Sequence, residues 1–353
     1  ARARLSNALE LLRSQPGLQV ARDALDRDTA ILNCPNGLVD LRTGELRPSD
    51  RAALCSRLAG APYLPDAPCD DWCAFLARVL GDDEDLTAYV QRAAGYWLTG
   101  SIEEQVAFFL YGTGGNGKSV FLRALRAAAG SYGAQADFAT FSMDKIDQNH
   151  FGLARLAGAR LVTCAEARPG APVDEAVLKQ VTGGEPVTAR APYGDFFEYS
   201  PAFKLVVACN HEPRVRSQDE GTWRRLRVIP FTRTIPAGER ERTFLERVLL
   251  PELPGILAWA VRGAVEWYAD GLGTAGQVSR ATASYREEQD DLGRFLAERC
   301  LVDPTCAGAS SDLYAAYRTW AEASGERAAS HTTFSLRLAE RRLDREKRGH
   351  ANT

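Results

Sequence analysis

Residues 106–130 read VAFFLYGTGGNGKSVFLRALRAAAG, and three kinds of local pattern follow one another in that stretch. Val106–Tyr111 is a continuous apolar run, the mark of a strand buried on both faces. Gly112–Gly117 then places four glycines in six positions, which suits neither a strand nor a helix interior. From Lys118 onward apolar residues recur at helical spacing until Gly130 ends them. Glycines in that number allow something to approach the backbone closely. The order strand, glycine loop, Lys-Ser, helix fits the pattern G-x-x-x-x-G-K-[ST], in which inward N–H groups and the positive helix end cradle a phosphate. Gly112, Thr113, Gly114, Gly115, Asn116, Gly117, Lys118, Ser119 and Val120 are then the expected nucleotide-binding set, with ATP and Mg²⁺ as its ligands. Lys118 would reach the β and γ phosphates, and the Ser119 hydroxyl would hold Mg²⁺.

Outward from the loop, three more buried runs follow: Arg160–Cys164 within LARLAGARLVTCAEA, then FKLVVACN, then LRVIPF. Strands of this kind separated by helices predict an α/β core with a parallel sheet. Upstream, ILNCPNGLVDLRTGELRP carries turn signals between short apolar runs and predicts small strands or a hairpin. Residues 70–100 predict two helices broken at Gly81 and Asp82. Downstream of 240 the chain reads as mostly helical, ending in the basic stretch RLAERRLDREKRGH. That stretch reads either as a duplex-binding surface or, the reading we favour, as a solvated helix end.

The chain has 353 residues, 45% hydrophobic and 25% charged, with net charge −3. It is not a polycation, so a nucleic-acid partner must be held by local basic surface. No signal peptide and no membrane span is expected, which points to the cytoplasm. Eight cysteines are scattered, and Cys69 and Cys73 lack the further ligands of a zinc set.

A phosphate loop alone implies only nucleotide binding; hydrolysis needs a carboxylate, a γ-phosphate sensor and often an arginine. Glu166 ends the run RLVTCAE, at the strand end where parallel sheets place ligands; a solvated loop acid reads the same way. Asp174 and Glu175 sit at a helix start, where acids serve the helix dipole. Asn210 ends FKLVVACN, and its amide could bond water or phosphate; it also reads as a turn residue before HEP. Arg224, Arg225 and Arg227 of TWRRLRVIPF read either as a solvated edge or as the source of an arginine finger.

In this order GTGGNGKS, LVTCAEA, KQVTGGEPVTARAPYGDFFEYSPAFKLVVACNHEPRV and GTWRRLRVIPF resemble a superfamily 3 helicase. More narrowly they resemble the helicase part of phage, satellite-phage and plasmid primase–helicases, related to the poxvirus primase–helicase. The resemblance extends over about residues 30–342, with weaker matches in LNCPNGLVDLRTGEL and in DLGRFLAERC and SDLYAAYRTWAEASGE. It implies an AAA+-like core (101–245) between an N-terminal helicase-associated domain (1–100), a helical connector (246–285) and a winged-helix-like C-terminal domain (286–353). It also implies a homo-hexameric ring with ATP between subunits, moving 3′→5′ on single-stranded or forked DNA in the replication of a phage, prophage or plasmid. A primase domain or primase partner is implied too, and residues 1–30 are too few to hold its active site. Carried over, Lys118 and Ser119 bind phosphate and Mg²⁺, Glu166 is the catalytic acid (reaching Mg²⁺ through water), Asn210 the sensor, and Arg225 the finger with Arg224 as substitute. The hairpin between Val187 and Phe203, turning near Tyr193–Asp195, matches the loop that grips DNA in the channel.

Two departures follow. The family's consecutive basic residues at the hairpin are here ARAPYGD, leaving DNA grip to Arg190, Tyr193 and Lys179, with Lys204 as an alternative. The usual acidic pair is one carboxylate, with Ala165 before Glu166. The thinner hairpin keeps a second function open, a nucleotide-gated DNA-binding ring or loader that does not unwind. A small-molecule kinase on the same loop fits residues 176–234 badly.

Overall fold

The computed structural model describes the whole chain except residues 1, 14, 16–19, 22–23, 144–148, 166–169, 192–193, 304, 326–327, 342 and 344–353. Two compact units are present, residues 1–282 and residues 283–353.

The first unit opens with helix α1 (Arg2–Arg13) and three short antiparallel strands, β1 (Ile31–Cys34), β2 (Gly37–Asp40) and β3 (Glu45–Arg47). These are the small strands expected from the turn signals. Helices α2 (Asp70–Leu80) and α3 (Glu84–Leu98) follow, separated by Gly81 in the left-handed region, as the sequence predicts. Asp83 caps α3 by accepting from the Leu86 N–H.

The central sheet contains β4 (Ala107–Tyr111), β5 (Gly133–Asp137), β6 (Leu161–Ala165), β9 (Lys204–Cys209) and β10 (Leu226–Pro230), all parallel, in the order β10–β4–β9–β6–β5. The loop helix α4 (Lys118–Ala129) connects β4 to β5, and the short α5 (Asn149–Ala154) precedes β6. Between β6 and β9 lie α6 (Glu175–Gly183) and a separate two-stranded hairpin, β7 (Val187–Arg190) and β8 (Phe196–Tyr199). This is the parallel α/β fold that the buried runs predict. β5 is the one core strand absent from the sequence reading. GAQAD offers no apolar run, because this edge strand, unlike β10 at the other edge, is only half-buried.

A four-residue helix, α7 (Glu220–Trp223), leads into β10; α8 (Leu253–Asp270) follows, and α9 (Gly276–Glu288) begins in this unit and ends in the next. α3 and α8 approach closely at glycines. A Cβ on Gly95 would lie 1.9 Å from the Ala264 nitrogen, and one on Gly263 would lie 2.0 Å from the Gln91 carbonyl oxygen. Among the described residues one helical stretch, Leu245–Asp270, is long and apolar enough to cross a membrane, as a buried core helix also can be. Its apolar residues Ile256, Leu257, Ala260 and Val261 are buried in the core. An aromatic cluster joins the helices to the sheet side: Trp72 stacks on Phe121 (5.5 Å between centroids), meets Trp259 edge-on, and Trp97 meets Phe108.

The described residues of the second unit form α10 (Asp291–Arg299), α11 (Ser310–Ala323) and α12 (His331–Glu340), with no strand among them. Phe295, Tyr317, Trp320 and Phe334 make its core. At its centre Asp291 is buried and accepts from the Tyr317 hydroxyl (2.5 Å) and from Arg337, while Arg341 pairs with Asp290. Two cations of the basic C-terminal stretch are therefore committed to intramolecular pairs rather than lying on a solvated face. Burial pushes the Asp291 carboxyl up, but the hydrogen bonds from Arg337 and Tyr317 outweigh it and hold the group below its ordinary value. A depressed carboxylate stabilises the fold above the unfolded-state value and loses that contribution as pH falls through the folded one. Asp291→Asn is expected to cost this unit about 2 kcal/mol, since it removes the buried charge that Arg337 pairs with most closely and leaves the longer pairing with Asp290 (3.7 Å). Amide exchange across α11 and α12 should show the loss at pH 7. The gap from the parent protein should begin to narrow below about pH 4, where the unfolded-state carboxyl starts to take up its proton, and should close only once pH has fallen through the lower folded-state value.

Candidate nucleotide site and nucleic-acid hairpin

The parallel sheet places the expected site residues by strand end. The glycine loop follows β4 and Asn210 follows β9, and these two strands are neighbours paired Tyr111 to Cys209. The Gly112 N–H donates to the Cys209 carbonyl (3.3 Å), closing the floor of the loop. Gly114, Gly115 and Gly117 all have positive φ (105°, 64° and 82°), which gives the tight curl a physical need for glycine. Gly117 also lacks room for a side chain, since a Cβ would sit 2.7 Å from Val79 and 3.0 Å from Phe75 on α2.

Lys118 begins α4 and is buried. Its Nζ donates to the Gly112 carbonyl (2.7 Å), to Asn116 Oδ1 (2.8 Å) and to Asn210 Oδ1 (3.1 Å). The sequence-predicted lysine and sensor asparagine, 92 residues apart, are thus brought into direct contact. Thr113 and Ser119 are exposed at the mouth of the loop, with Val120 half-buried behind them. β6 ends at the same edge of the sheet with Ala165. Glu166 itself lies outside the described residues.

Arg224 and Arg225 lie at the opposite edge. β10 runs parallel to β4, pairing Leu226 with Ala107 and Pro230 with Tyr111, so the arginines precede the strand end remote from the loop. Five residues at ~3.3 Å each put them about 16 Å from the loop end of the sheet. Asp219 caps α7 through the Thr222 N–H and hydroxyl, fixing the turn that carries them. Arg224 is exposed and reaches Gln105 Oε1 (3.4 Å). Arg225 is half-buried and donates through Nη1 to the Gly221 carbonyl, while its buried Nε has no hydrogen-bond partner among the described residues. Burial, then the neighbouring Arg224 charge, pushes the Arg225 guanidinium pKa down. Asp174 caps α6, as expected of an acid at a helix start, whereas Glu175 holds a distant segment, its Oε1 accepting from the N–H groups of Arg216 and Ser217 at 2.8 Å each.

The β7–β8 hairpin lies where the sequence predicts it. Its pairs alternate: Val187 with Tyr199 and Ala189 with Phe197 on one face, Thr188 with Glu198 and Arg190 with Phe196 on the other. Near the turn the Arg190 guanidinium lies 5.0 Å from the centre of the Phe196 ring, and its Nε donates to the Gly194 carbonyl (3.0 Å). Phe196 is 59% exposed, an apolar ring kept at the surface beside a cation. It was missed in the sequence, although adjacent aromatics in an alternating strand require that one of Phe196 and Phe197 face outward. Tyr193 lies outside the described residues.

Two expected DNA contacts change. Lys179 is held by Asp219, with its Nζ 3.1 Å from both carboxylate oxygens. Burial opposes it, yet the hydrogen bonds from Ser217, Thr222 and Lys179 keep the Asp219 carboxyl far below its usual range. Lys204 is corrected outright, because it is 1% exposed and points into the protein. Its Nζ donates to the carbonyls of Thr99, Ser101 and Ala202 and lies 4.9 Å from the Tyr96 ring centre. Burial, then Arg160, pushes its ammonium pKa well down. Such a lysine ties loop 99–101 to the start of β9 and has no surface to offer a nucleic acid.

Two family models match the chain. One, described as D5 N terminal like, covers residues 1–81; the other, a family of unknown function (DUF5906), covers residues 110–225, from β4 to the arginine pair. Among curated relatives, a putative helicase of Acanthamoeba polyphaga mimivirus is 27% identical over 84% of this chain and 33% of its own length. A putative helicase of Frog virus 3 is 28% identical over 72% of the chain and 28% of its own length. A putative primase of African swine fever virus is 23% identical over 73% and 29%. The chain thus spans about a third of these relatives or less. The apo structure of the NrS-1 C-terminal region superposes with a TM-score of 0.48 at 13% identity, covering 67% of this chain and 58% of that one. Over most of its length the chain is similar to putative helicases and primases of large DNA viruses, and the expected resemblance to a primase–helicase family is borne out.

Proposed function

We propose that this chain is the motor portion of a replicative DNA helicase, hydrolysing ATP at seams between subunits of a homo-hexameric ring that moves 3′→5′ along single-stranded DNA. One observation carries the reading. Lys118 and Asn210 meet at one edge of the sheet and Arg224 and Arg225 stand at the other, so a site needing all four requires a second copy of the chain.

The loop fits a magnesium-bound triphosphate on its donor chemistry. The positive-φ glycines curl the backbone into an anion-binding nest, Lys118 supplies a buried cation, and Ser119 offers a hydroxyl at the first turn of α4. The metal supplies neutralisation of charge on the phosphate oxygens. In this reading Lys118 would grip the β and γ phosphates, Ser119 and Glu166 would hold Mg²⁺, and Glu166 would take the proton of the attacking water. Asn210 orients that water, and Arg225 of the adjoining subunit stabilises the charge that develops on transfer. A primase domain or partner beyond this chain is part of the proposal, and the names of the longer viral relatives support it.

The hairpin tip is assigned to DNA. A base stacks on Phe196 while Arg190 meets a phosphate, the pairing of ring and cation that single strands accept without sequence preference. Phe196→Ala is expected to weaken single-stranded DNA binding about tenfold, as for loss of one stacked base. Arg190→Ala should in addition flatten its salt dependence. Fluorescence anisotropy with an oligothymidine checks both, and an unchanged affinity in both variants removes the hairpin assignment.

The loader reading keeps one specific support: of the described cations offered for DNA, Lys204 is buried and Lys179 is paired, which leaves Arg190. Strand displacement on a forked duplex decides between the two. A motor separates the strands when ATP is added, and a loader binds and hydrolyses without separating them.

A further inference from the structure

The side chain of Asn116 joins two segments far apart in sequence. Its Nδ2 donates to the carbonyl of Phe231 (2.8 Å), and its Oδ1 accepts from Lys118 Nζ (2.8 Å). It is 2% exposed, so neither bond is shared with bulk water. The fit around it is tight: a Cβ on Gly112 would lie 2.0 Å from Asn116 Nδ2 and 2.2 Å from the Phe231 oxygen. Phe231 is the residue after β10, and its N–H donates to the Tyr111 carbonyl (2.7 Å). Four residues on, the Ile235 N–H donates to the Gly115 carbonyl (2.9 Å), and Arg240 Nε returns to the Ile235 carbonyl (2.7 Å). The segment 231–240 therefore clasps the outside of the loop, with Asn116 as the only side chain in this set that also touches Lys118.

The same strand, β10, starts directly after Arg224 and Arg225. It is paired residue by residue with β4, so a shift at its Phe231 end passes along the strand rather than being absorbed by slack.

We infer that Asn116 is a positioning residue that couples the state of Lys118 to β10, and through β10 to the arginine pair this subunit presents to its neighbour. The inference rests on the proposed triphosphate site and goes beyond it, since it links one site to the next. An amide is the group the task requires: it accepts from an ammonium and donates to a carbonyl at once. When phosphate oxygens draw Lys118 Nζ away, Asn116 Oδ1 loses its buried donor. The amide then turns to recover one, and its hold on Phe231 slackens.

Two variants separate the parts. Asn116→Leu keeps the branched shape at a somewhat larger volume and removes both bonds; Asn116→Asp keeps the size and the acceptor and removes the donor to Phe231. Hydrogen exchange on the nucleotide-free protein is the first readout. Both variants should speed exchange of the Phe231 and Ile235 amides about tenfold, with α3 and α8 unchanged. In the parent protein a non-hydrolysable ATP analogue should change exchange over residues 224–235, and in both variants that response should disappear. Turnover is the second readout: losses in Asn116→Leu and Arg225→Ala should fail to multiply in the double variant, because they act on one line. Parent-like exchange at Phe231 and Ile235 in both variants, or losses that multiply, overturns the coupling. Failure of the nucleotide reading looks different: the parent protein then binds no fluorescent ATP analogue, while the nucleotide-free exchange still decides whether Asn116 tethers β10.

Discussion

Lys118→Ala is expected to abolish ATP hydrolysis and to weaken binding of a fluorescent ATP analogue by about 100-fold or more. Removing a charge-assisted donor from a buried phosphate site costs about 3 kcal/mol or more in the state that uses it. In the nucleotide-free protein Lys118 Nζ also gathers the Gly112 carbonyl, Asn116 and Asn210 around one point, so its removal leaves three buried or half-buried oxygens without their shared donor, a cost that falls on the fold and not on nucleotide binding. Lys118→Arg should not restore function, because a planar fork cannot replace a compact ammonium in a space lined at 2.7–3.1 Å. Circular dichroism should show both variants folded, since the sheet ladder and the α4 core residues Phe121, Leu122 and Leu125 are untouched. Analogue binding equal to that of the parent protein would remove Lys118 from the site.

Arg225→Ala has the second large effect, and a different signature. Analogue binding should stay within about threefold of the parent, while turnover falls about 1,000-fold, the scale of an arginine supplied to a phosphoryl-transfer transition state from a partner. The separation follows from position: Arg225 is a full strand length away from its own loop and cannot hold its own nucleotide. Arg224→Ala should cost less, because its guanidinium is exposed and its described contact is a 3.4 Å bond to Gln105. The half-buried Arg225 guanidinium, partly desolvated already, gains more from a phosphate oxygen than a solvated arginine does. Steady-state hydrolysis and equilibrium binding on the same preparations separate these terms. Loss of binding in Arg225→Ala would place this arginine in the subunit's own site and break the shared-seam account.

The sequence carried the local part of this structure well. The glycine loop, its strand and its helix are contiguous, and their patterns differ sharply, so β4 and α4 are legible within a residue or two of their ends. Long-range placement was less legible. The contact between Lys118 and Asn210 exists because β9 inserts beside β4, and no local pattern states strand order. Edge strand β5 escaped because a half-buried strand needs no apolar run. Lys204 misled because a cation at a strand start looks like a surface residue; here the carbonyls of loop 99–101 converge on it and draw it inside. Asn116 was legible as part of the loop but not as a bridge, since its other partner, Phe231, is 115 residues away. The basic C-terminal stretch read as solvated, yet Arg337 and Arg341 are spent on Asp291 and Asp290, a pairing that only tertiary structure reveals.

Mixing two dead proteins tests the central claim most directly. Lys118→Ala lacks the loop cation and keeps the arginines; Arg225→Ala lacks the finger and keeps the loop. If each site is built from two subunits, random exchange between the two variants leaves about a quarter of the seams with both groups intact. Hydrolysis should then return in the mixture to a clearly measurable fraction of the parent rate while each variant alone stays silent. A mixture as inactive as its components, with subunit exchange verified by energy transfer between labelled copies, would contradict the account.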